Sequence, residues 1–461
     1  MNPLKTKLEN RTATAAVIGL GYVGLPLAME IAAAGFHVIG IDLDRNKINT
    51  LKEGKSYILD VPEKTVADAV LAGKFVPTSD FSALATCDTV SICVPTPLSK
   101  SRDPDISFIL SATEEIRKYL HPGQLIVLES TTYPGTTDEL IVPELENSGL
   151  KVGSDFFVAF SPERIDPGNA SFNTHNTPKI VGGITPECTE IARLFYSAFI
   201  ERVIPVSSTK CAEMVKLLEN TFRSINIGMV NELALMCDLL GVDVYEVIDA
   251  AATKPFGFSA FYPGPGLGGH CIPIDPHYLA WKLKALNFQA RFIGLAAEIN
   301  GMMPSVVATM VADGLNRASK AIRGSKVMIL GVAYKKNVSD CRESPALDVM
   351  RLLSEKGAIL SYNDPLVPTL RLGGKLLKSV DATPAEIAKH DCVIILTDHS
   401  VYDIGKIVEA AQLVVDTRNA TKNIHGCKDR IIKLGAGNKV PSISAHDEEH
   451  DTGPIRLTGH A

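Results

Sequence analysis

The sequence predicts an α/β chain in which two Rossmann-like, doubly wound units are joined by a central helical segment. Three observations carry that expectation. Short apolar runs alternate with helical periodicity in the first part of the chain, as in "TAAVIGLGYVGLPLAMEIAAAG" followed by "FHVIGIDLD". Helical periodicity then runs unbroken from about Ser208 to Leu240. Strand–helix alternation resumes at "KVMILGVAYK" and continues through "CVIILTDH" and "LVVDTRN". At 461 residues the chain is too long for one compact core. The units expected are 1–207 and 318–438, both α/β, around a helical middle at 208–317. A disordered tail rich in His, Asp, Glu and Gly is expected at 439–461.

Composition narrows the class. Hydrophobic residues make up 46% and charged residues 21%, as in an ordinary globular protein. The net charge of −6, with no basic block, argues against nucleic acid as the main partner. No uninterrupted apolar run approaches the roughly 20 residues that cross a bilayer, so no membrane role is expected. The opening "MNPLKTKLENRTATAAVIGL" lacks the apolar core of a signal peptide. Nine scattered cysteines include no CxxC pair and no metal-like spacing, so no metal is expected. They suit reduced thiols in a cytoplasm, most of them small core residues like Cys93 and Cys392.

The first strand leads into Gly19-x-Gly21-x-x-Gly24, and Asp42 ends the next strand, eighteen residues after Gly24. The first glycine permits a tight turn, the second lets backbone approach a pyrophosphate, and the third allows close helix–strand packing. An acid at Asp42 accepts bonds from ribose hydroxyls and repels a 2′-phosphate, which favours NAD over NADP. Tyr22 and Val23, between the glycines, and Thr96 after "SICVP" are counted with the same site. A flavin binds through a similar fingerprint, so the fingerprint alone does not name a reaction.

Further strands, "DTVSICVPTP", "QLIVLESTT" and "DFFVAFSPE", end in polar or proline punctuation, where parallel sheets gather functional groups. Thr131 in "STT" and Glu163 in "SPE" stand at such ends. Lys216 and Asn220, four apart on the long helix, share a face. Cys271 lies in the glycine-rich loop "GPGLGGHCIPIDPHY", followed by Asp275. Each has an ordinary alternative: a solvated lysine, a surface ion pair, a helix cap, a buried thiol filling space.

The stretches "GLGYVGLPLA", "STTYPGTT", "SPER", "KLLENTFRSINI", "GPGLGGHCIPID" and "ILGVAYKKNVSDCRESPA" occur in that order. Over roughly residues 12–420 they resemble the nucleotide-sugar 6-dehydrogenases. The resemblance implies an NAD-dependent, four-electron oxidation of a sugar CH₂OH to a carboxylate. It also implies roles: Cys271 as the nucleophile that forms a thiohemiacetal and then a thioester, and Lys216 with Asn220 as donors to the oxyanion. Asp275 would handle the first proton with the lysine, Glu163 would be the base for hydrolysis, and Thr131 would hold water or the nicotinamide end. Gly268 would let the loop approach the substrate, Lys335 would contact the nucleotide, and Arg342 would reach the cofactor. Arg418 in "DTRN" is a weaker candidate of the same kind. The central helices resemble a dimer interface, so a homodimer or a multiple of it is expected.

The segment "SPERIDPGN" departs from the family pattern "PEFLREG", with Pro167 in place of a second glutamate. It resembles the branch acting on UDP-N-acetylhexosamines. UDP-N-acetylglucosamine is the expected substrate, with UDP-N-acetylmannosamine next and UDP-glucose less favoured. Arg164 either lies near the acetamido group or pairs with Asp166 or another local acid. Two other classes stay open: a two-electron hydroxyacid-type dehydrogenase, which needs no thiol, and an NAD-sensing scaffold without catalysis.

Overall fold

The computed structural model describes residues 2–58, 60–99, 103–166, 171–269 and 271–437. Pro167, His270 and the tail expected to be disordered lie outside the described residues.

Eight strands form the first sheet: β1 (Thr14–Ile18), β2 (His37–Ile41), β3 (Phe75–Thr78), β4 (Thr89–Ile92), β5 (Leu125–Leu128), β6 (Phe157–Phe160), β7 (Lys179–Gly183) and β8 (Val203–Pro205). Their order is β3-β2-β1-β4-β5-β6-β7-β8. Strands β4, β5 and β6 are buried at every position, which is why they read as continuous apolar runs rather than as alternation. Chain order reverses between β1 and β4, opening a crevice beyond their C-terminal ends. β7 runs antiparallel to β6, with Phe160 opposite Gly182. Its first residue, Lys179, is thereby delivered to the edge at which the parallel strands end.

A helix spans Thr209–Leu240, capped by the Ser208 side chain and ended by Gly241 in the left-handed region at φ 72°. A second helix, Arg291–Arg317, packs along it. Gly228 brings the two backbones together against Ala296, and Asn231 Nδ2 donates to Asn300 Oδ1 at 2.8 Å. The Arg291–Arg317 helix is long and apolar enough to cross a membrane by length and mean hydropathy alone. Apolarity interrupted by Glu298, Asn300 and Pro304 hides that length from a search for unbroken runs. Its buried residues Met303, Val307, Val311 and Leu315 fill a core shared with the second sheet, whereas Phe292 and Leu295 near its start stay exposed.

That second sheet is parallel, formed by β9 (Lys326–Leu330), β10 (Ile359–Asn363), β13 (Cys392–Ile395), β14 (Val414–Asp416) and β15 (Ile431–Lys433) in the order β10-β9-β13-β14-β15. An antiparallel hairpin, β11 (Thr369–Leu372) and β12 (Lys375–Lys378), stands apart from it. All nine cysteines are free thiols, and Cys93 and Cys392 are core residues.

Candidate active site

At the crevice, Gly19 turns the chain at φ 90° and a Cβ there would meet the Cys93 carbonyl at 2.5 Å. A Cβ on Gly24 would meet the Gly19 carbonyl oxygen, so this glycine is fixed by packing. Gly21 differs, because a Cβ there would meet nothing within 4 Å. Val23 precedes the helix Gly24–Ala33 without any side-chain cap; the Leu25 N–H already donates to the Gly21 carbonyl and Pro26 has none, which leaves the Gly24 N–H of the first turn for an anion. Asp42 accepts from the Leu20 N–H at 2.9 Å and from Lys47 Nζ at 3.0 Å. Open space at Gly21, an uncapped helix start and a carboxylate at the rim fit NAD. Thr96 lies in the loop after β4, and its carbonyl accepts from the Tyr278 hydroxyl at 3.0 Å. Tyr22 is exposed, and the Arg342 guanidinium stacks 5.4 Å from its ring centre.

The Thr209–Leu240 helix presents Lys216 and Asn220 to one place, as their spacing requires. Lys216 Nζ donates to the Glu163 carbonyl at 2.6 Å, and Asn220 Nδ2 donates to Asp275 Oδ2 at 2.5 Å. Asp275 opens the helix Asp275–Lys284, and its N–H closes on the Cys271 carbonyl at 2.8 Å. Tyr133, Leu217, Tyr278, Leu279 and Ile293 form a small core under these groups. It joins the loop after Thr131, the long helix and the segment after Cys271. One turn before Lys216, the buried Glu213 carboxylate accepts from the N–H groups of Gly135 (2.6 Å) and Thr137 (3.0 Å) and from the Thr137 hydroxyl (2.8 Å). The half-buried Thr131 therefore sits on a loop tied to the long helix.

Burial governs the charges here. It lifts the Asp275 carboxyl to about 6, against the opposing pull of Lys216 and the Asn220 hydrogen bond. It also lifts the Cys271 thiol, helped by the Asp275 charge and opposed by Lys216, Arg223 and Arg342. The resting thiol is protonated, with three cations around it ready to favour a thiolate once its proton leaves.

Glu163 is held from several sides. Oε1 accepts from the N–H groups of Arg164 (2.6 Å) and Ile165 (2.7 Å), and Oε2 faces Lys179 Nζ at 3.3 Å. Burial pushes its pKa up, but Lys179, the Ile165 N–H, Lys216 and the Arg164 N–H together bring it below the ordinary value. Lys179 is itself paired with buried Glu129 at 2.7 Å, and Glu129 accepts the Tyr196 hydroxyl at 2.6 Å. Sequence reasoning missed Lys179, Glu129, Tyr196, Glu213 and Arg223. The available signals were a lysine opening the apolar run "KIVGG" and an acid closing "LIVLE".

On the side of the second sheet, Lys335 Nζ pairs with Asp166 at 2.7 Å, and Arg342 pairs with Asp340 at 2.6 Å. Arg164 pairs with Glu219 of the long helix at 2.6 Å and donates to the Pro178 carbonyl at 2.6 Å, so its acid is Glu219 rather than Asp166. Arg418 donates to the Leu396 carbonyl at 2.9 Å and lies where a Cβ on Gly264 would be. Gly268 presses on Tyr334, Pro345 and the Glu343 carbonyl, so loop packing already demands a glycine there. A cavity of about 400 Å³ runs alongside the loop, between Pro273, Ile293, Gly266 and Pro345. Among the described residues no cluster of His, Cys, Asp and Glu suits a metal ion.

A glycine turn at the switch point of a parallel sheet, opening toward a lysine, a thiol and two carboxyl groups, defines an NAD-dependent oxidoreductase. The chain belongs to the UDP-glucose/GDP-mannose dehydrogenase family. It matches the family's NAD binding domain at residues 13–200, its central domain at 210–302 and its UDP binding domain at 328–423. It is 36% identical over 415 residues, 87% of this chain and 92% of the relative, to the UDP-N-acetyl-D-mannosamine dehydrogenase of Methanococcus maripaludis. It is 33% identical over 414 residues, 87% and 96% of the two chains, to the UDP-N-acetyl-D-glucosamine 6-dehydrogenase of Pseudomonas aeruginosa. The solved UDP-D-ManNAc dehydrogenase of Pyrococcus horikoshii superposes with a TM-score of 0.84 at 33% identity, covering 92% of this chain and all of that one.

Proposed function

We propose that the protein oxidises C6 of a UDP-N-acetylhexosamine to the carboxylate in two NAD-dependent steps, with UDP-N-acetylmannosamine as the first substrate to test. The observation that carries the chemistry is the Asn220–Asp275 hydrogen bond one helical turn beyond Cys271. It supports a reading in which a carboxylate, a lysine and a thiol serve one reacting carbon. The sugar follows the relatives, several of which act on the mannosamine epimer. That reverses the order expected from "SPERIDPGN", while the glucosamine-acting relative keeps the gluco epimer as the second reading.

NAD, when bound, supplies the two-electron acceptor for each oxidation. Asp275 with Lys216 takes the hydroxyl proton in the first. The Cys271 sulfur then adds to the aldehyde carbon while its S–H proton passes to the former carbonyl oxygen, making tetrahedral the centre that a second oxidation requires, and that oxygen is held by Lys216 and Asn220. The second oxidation leaves a thioester on Cys271. Water adds to it, Glu163 bears on that water's proton, and C–S cleavage releases the acid and the thiol. Lys335 and Arg418 are assigned to the uridine diphosphate, with Lys335 exchanging Asp166 for the pyrophosphate. Thr131 and Arg342 border the nicotinamide end.

A homodimer is part of this reading. The two long helices leave Leu218, Phe222, Met229, Phe292 and Leu295 exposed, an apolar face that a second copy would cover.

The test is NADH release with UDP-N-acetylmannosamine, UDP-N-acetylglucosamine, UDP-glucose and GDP-mannose side by side. About two NADH per sugar, from an acetamido sugar, is expected. One NADH per sugar removes the thioester route, and preference for UDP-glucose removes the hexosamine assignment.

A further inference from the structure

We infer that Lys179 is the positioning residue of the hydrolytic step, holding the Glu163 carboxylate in place and ionised through a buried Glu129–Lys179–Glu163 array. This rests on the reading of Glu163 given above. The placement comes from topology. In the antiparallel pair of β6 and β7, Ala159 faces Gly183 and Phe160 faces Gly182. Continuing that register past β6 sets Glu163 opposite Lys179, and two bonds follow the same ladder beyond the strand. The Ser161 hydroxyl donates to the Ile180 carbonyl at 2.8 Å, and Arg164 to the Pro178 carbonyl at 2.6 Å. The reversal of direction at β7, which β8 continues, thus brings a cation to an edge where the neighbouring parallel strands offer acids.

The Lys179 side chain is 5% exposed and Glu129 is fully buried. A lone ammonium would not stay charged there, yet two carboxylates hold its proton firmly and raise its pKa. The groups facing the array are Cys93 at the end of β4, Tyr196 from the helix Pro186–Ser197 and Lys216 from the long helix. Burial keeps the Cys93 thiol and the Tyr196 phenol neutral, so among the described residues Lys179 and Lys216 are the cations that act on Glu163. Without Lys179, Glu163 would keep Lys216, which is bonded to its own carbonyl, but would lose the cation at its carboxylate while the buried Glu129 stays close, so its carboxyl would take up a proton more readily. The carboxylate would also lose its hold at Oε2, whose partner is Lys179, and would be kept by the backbone N–H groups at Oε1 alone.

The experiment compares Lys179→Met, Lys179→Arg and Glu129→Gln with the wild type in two readouts. The first is the ionisation of ¹³C-labelled glutamate carboxyls followed against pH without substrate. The second is the covalent Cys271 thioester, sought by mass spectrometry of acid-quenched turnover. Lys179→Met is expected to raise the Glu163 titration by about one unit or more and to accumulate thioester below about pH 7, with turnover down roughly tenfold. Lys179→Arg should restore both, because the charge is kept. Glu129→Gln should lower the Glu163 titration, and it carries the test if the methionine variant does not fold. Folded variants whose Glu163 titration stays where the wild type has it would overturn the proposal. Wild-type protein that releases no NADH with any sugar nucleotide overturns the functional reading instead, since the carboxyl titration needs no substrate.

Discussion

Asn220 holds Asp275 by a hydrogen bond of 2.5 Å between two fully enclosed side chains, and the carboxyl so held titrates at about 6. Its ordinary value is near 4, so the folded state binds this proton more tightly than the unfolded chain does. Such a group contributes stability below about pH 4 that is lost as pH rises through 6. Asp275→Asn removes a buried charge and is expected to stabilise the fold above pH 6, on the order of 1–3 kcal/mol, with no gain near pH 4. The same change removes the base, so turnover falls by about 10² or more. Thermal melts across pH 4–8 check the first outcome, and a variant no more stable at pH 8 than the wild type refutes the burial argument.

Wild-type turnover should fade on the acid side of about pH 6, where Asp275 takes a proton and can no longer accept one from the substrate hydroxyl. A kcat profile from pH 5 to 9 shows this limb. Asn220→Ala should move it upward, because the hydrogen bond that lowers the Asp275 pKa is then missing. A limb unmoved in that variant would assign the titration to another group.

The three fingerprint glycines separate by what surrounds them. Gly21 faces open space, so Gly21→Ala should leave the melting temperature within a degree or two while weakening NAD binding about tenfold or more. Gly24 abuts the Gly19 carbonyl, so Gly24→Ala should cost about 2 kcal/mol or more of stability before any ligand is added. Calorimetry with and without NAD distinguishes the two. Equal stability losses would mean that Gly21 is also a packing residue.

The central elements were legible because their signals are local. The motif from Gly19 to Asp42, the buried runs of β4 to β6 and the long helix with Lys216 and Asn220 each announce themselves within a few turns of chain. The reversed strand β7 did not: its "KIVGG" is short, and nothing local in it tells antiparallel from parallel pairing with β6. Lys179, Glu129 and Tyr196 come from three separate segments, so no spacing rule joins them. Arg164 was visible as a candidate, but only three-dimensional proximity shows that Glu219, 55 residues away, is its partner. In sequence Gly268 suggests room for a ligand, whereas Tyr334 and Pro345 of another segment already occupy that side.

Glu213 offers the last test, because it separates support of the site from chemistry within it. Its carboxylate is fully buried and accepts three hydrogen bonds from Gly135 and Thr137, on the loop that starts at Thr131. Burial raises its pKa, with the two backbone N–H groups and the Thr137 hydroxyl opposing that rise. Glu213→Ala strands three buried donors and is expected to cost about 3 kcal/mol, since each unpaired group loses its partner without gaining water. Glu213→Gln keeps the volume but turns an amide N–H₂ toward one of the donors, so a smaller loss of about 1–2 kcal/mol should follow. The loop carrying Thr131 would then loosen, raising the KM for NAD more than it lowers kcat, because Cys271, Lys216 and Asp275 stay in place. Denaturant unfolding and initial rates at varied NAD measure both effects. A Glu213→Gln variant with wild-type stability but lower kcat at unchanged KM would mean that the carboxylate takes part in the chemistry rather than holding the loop.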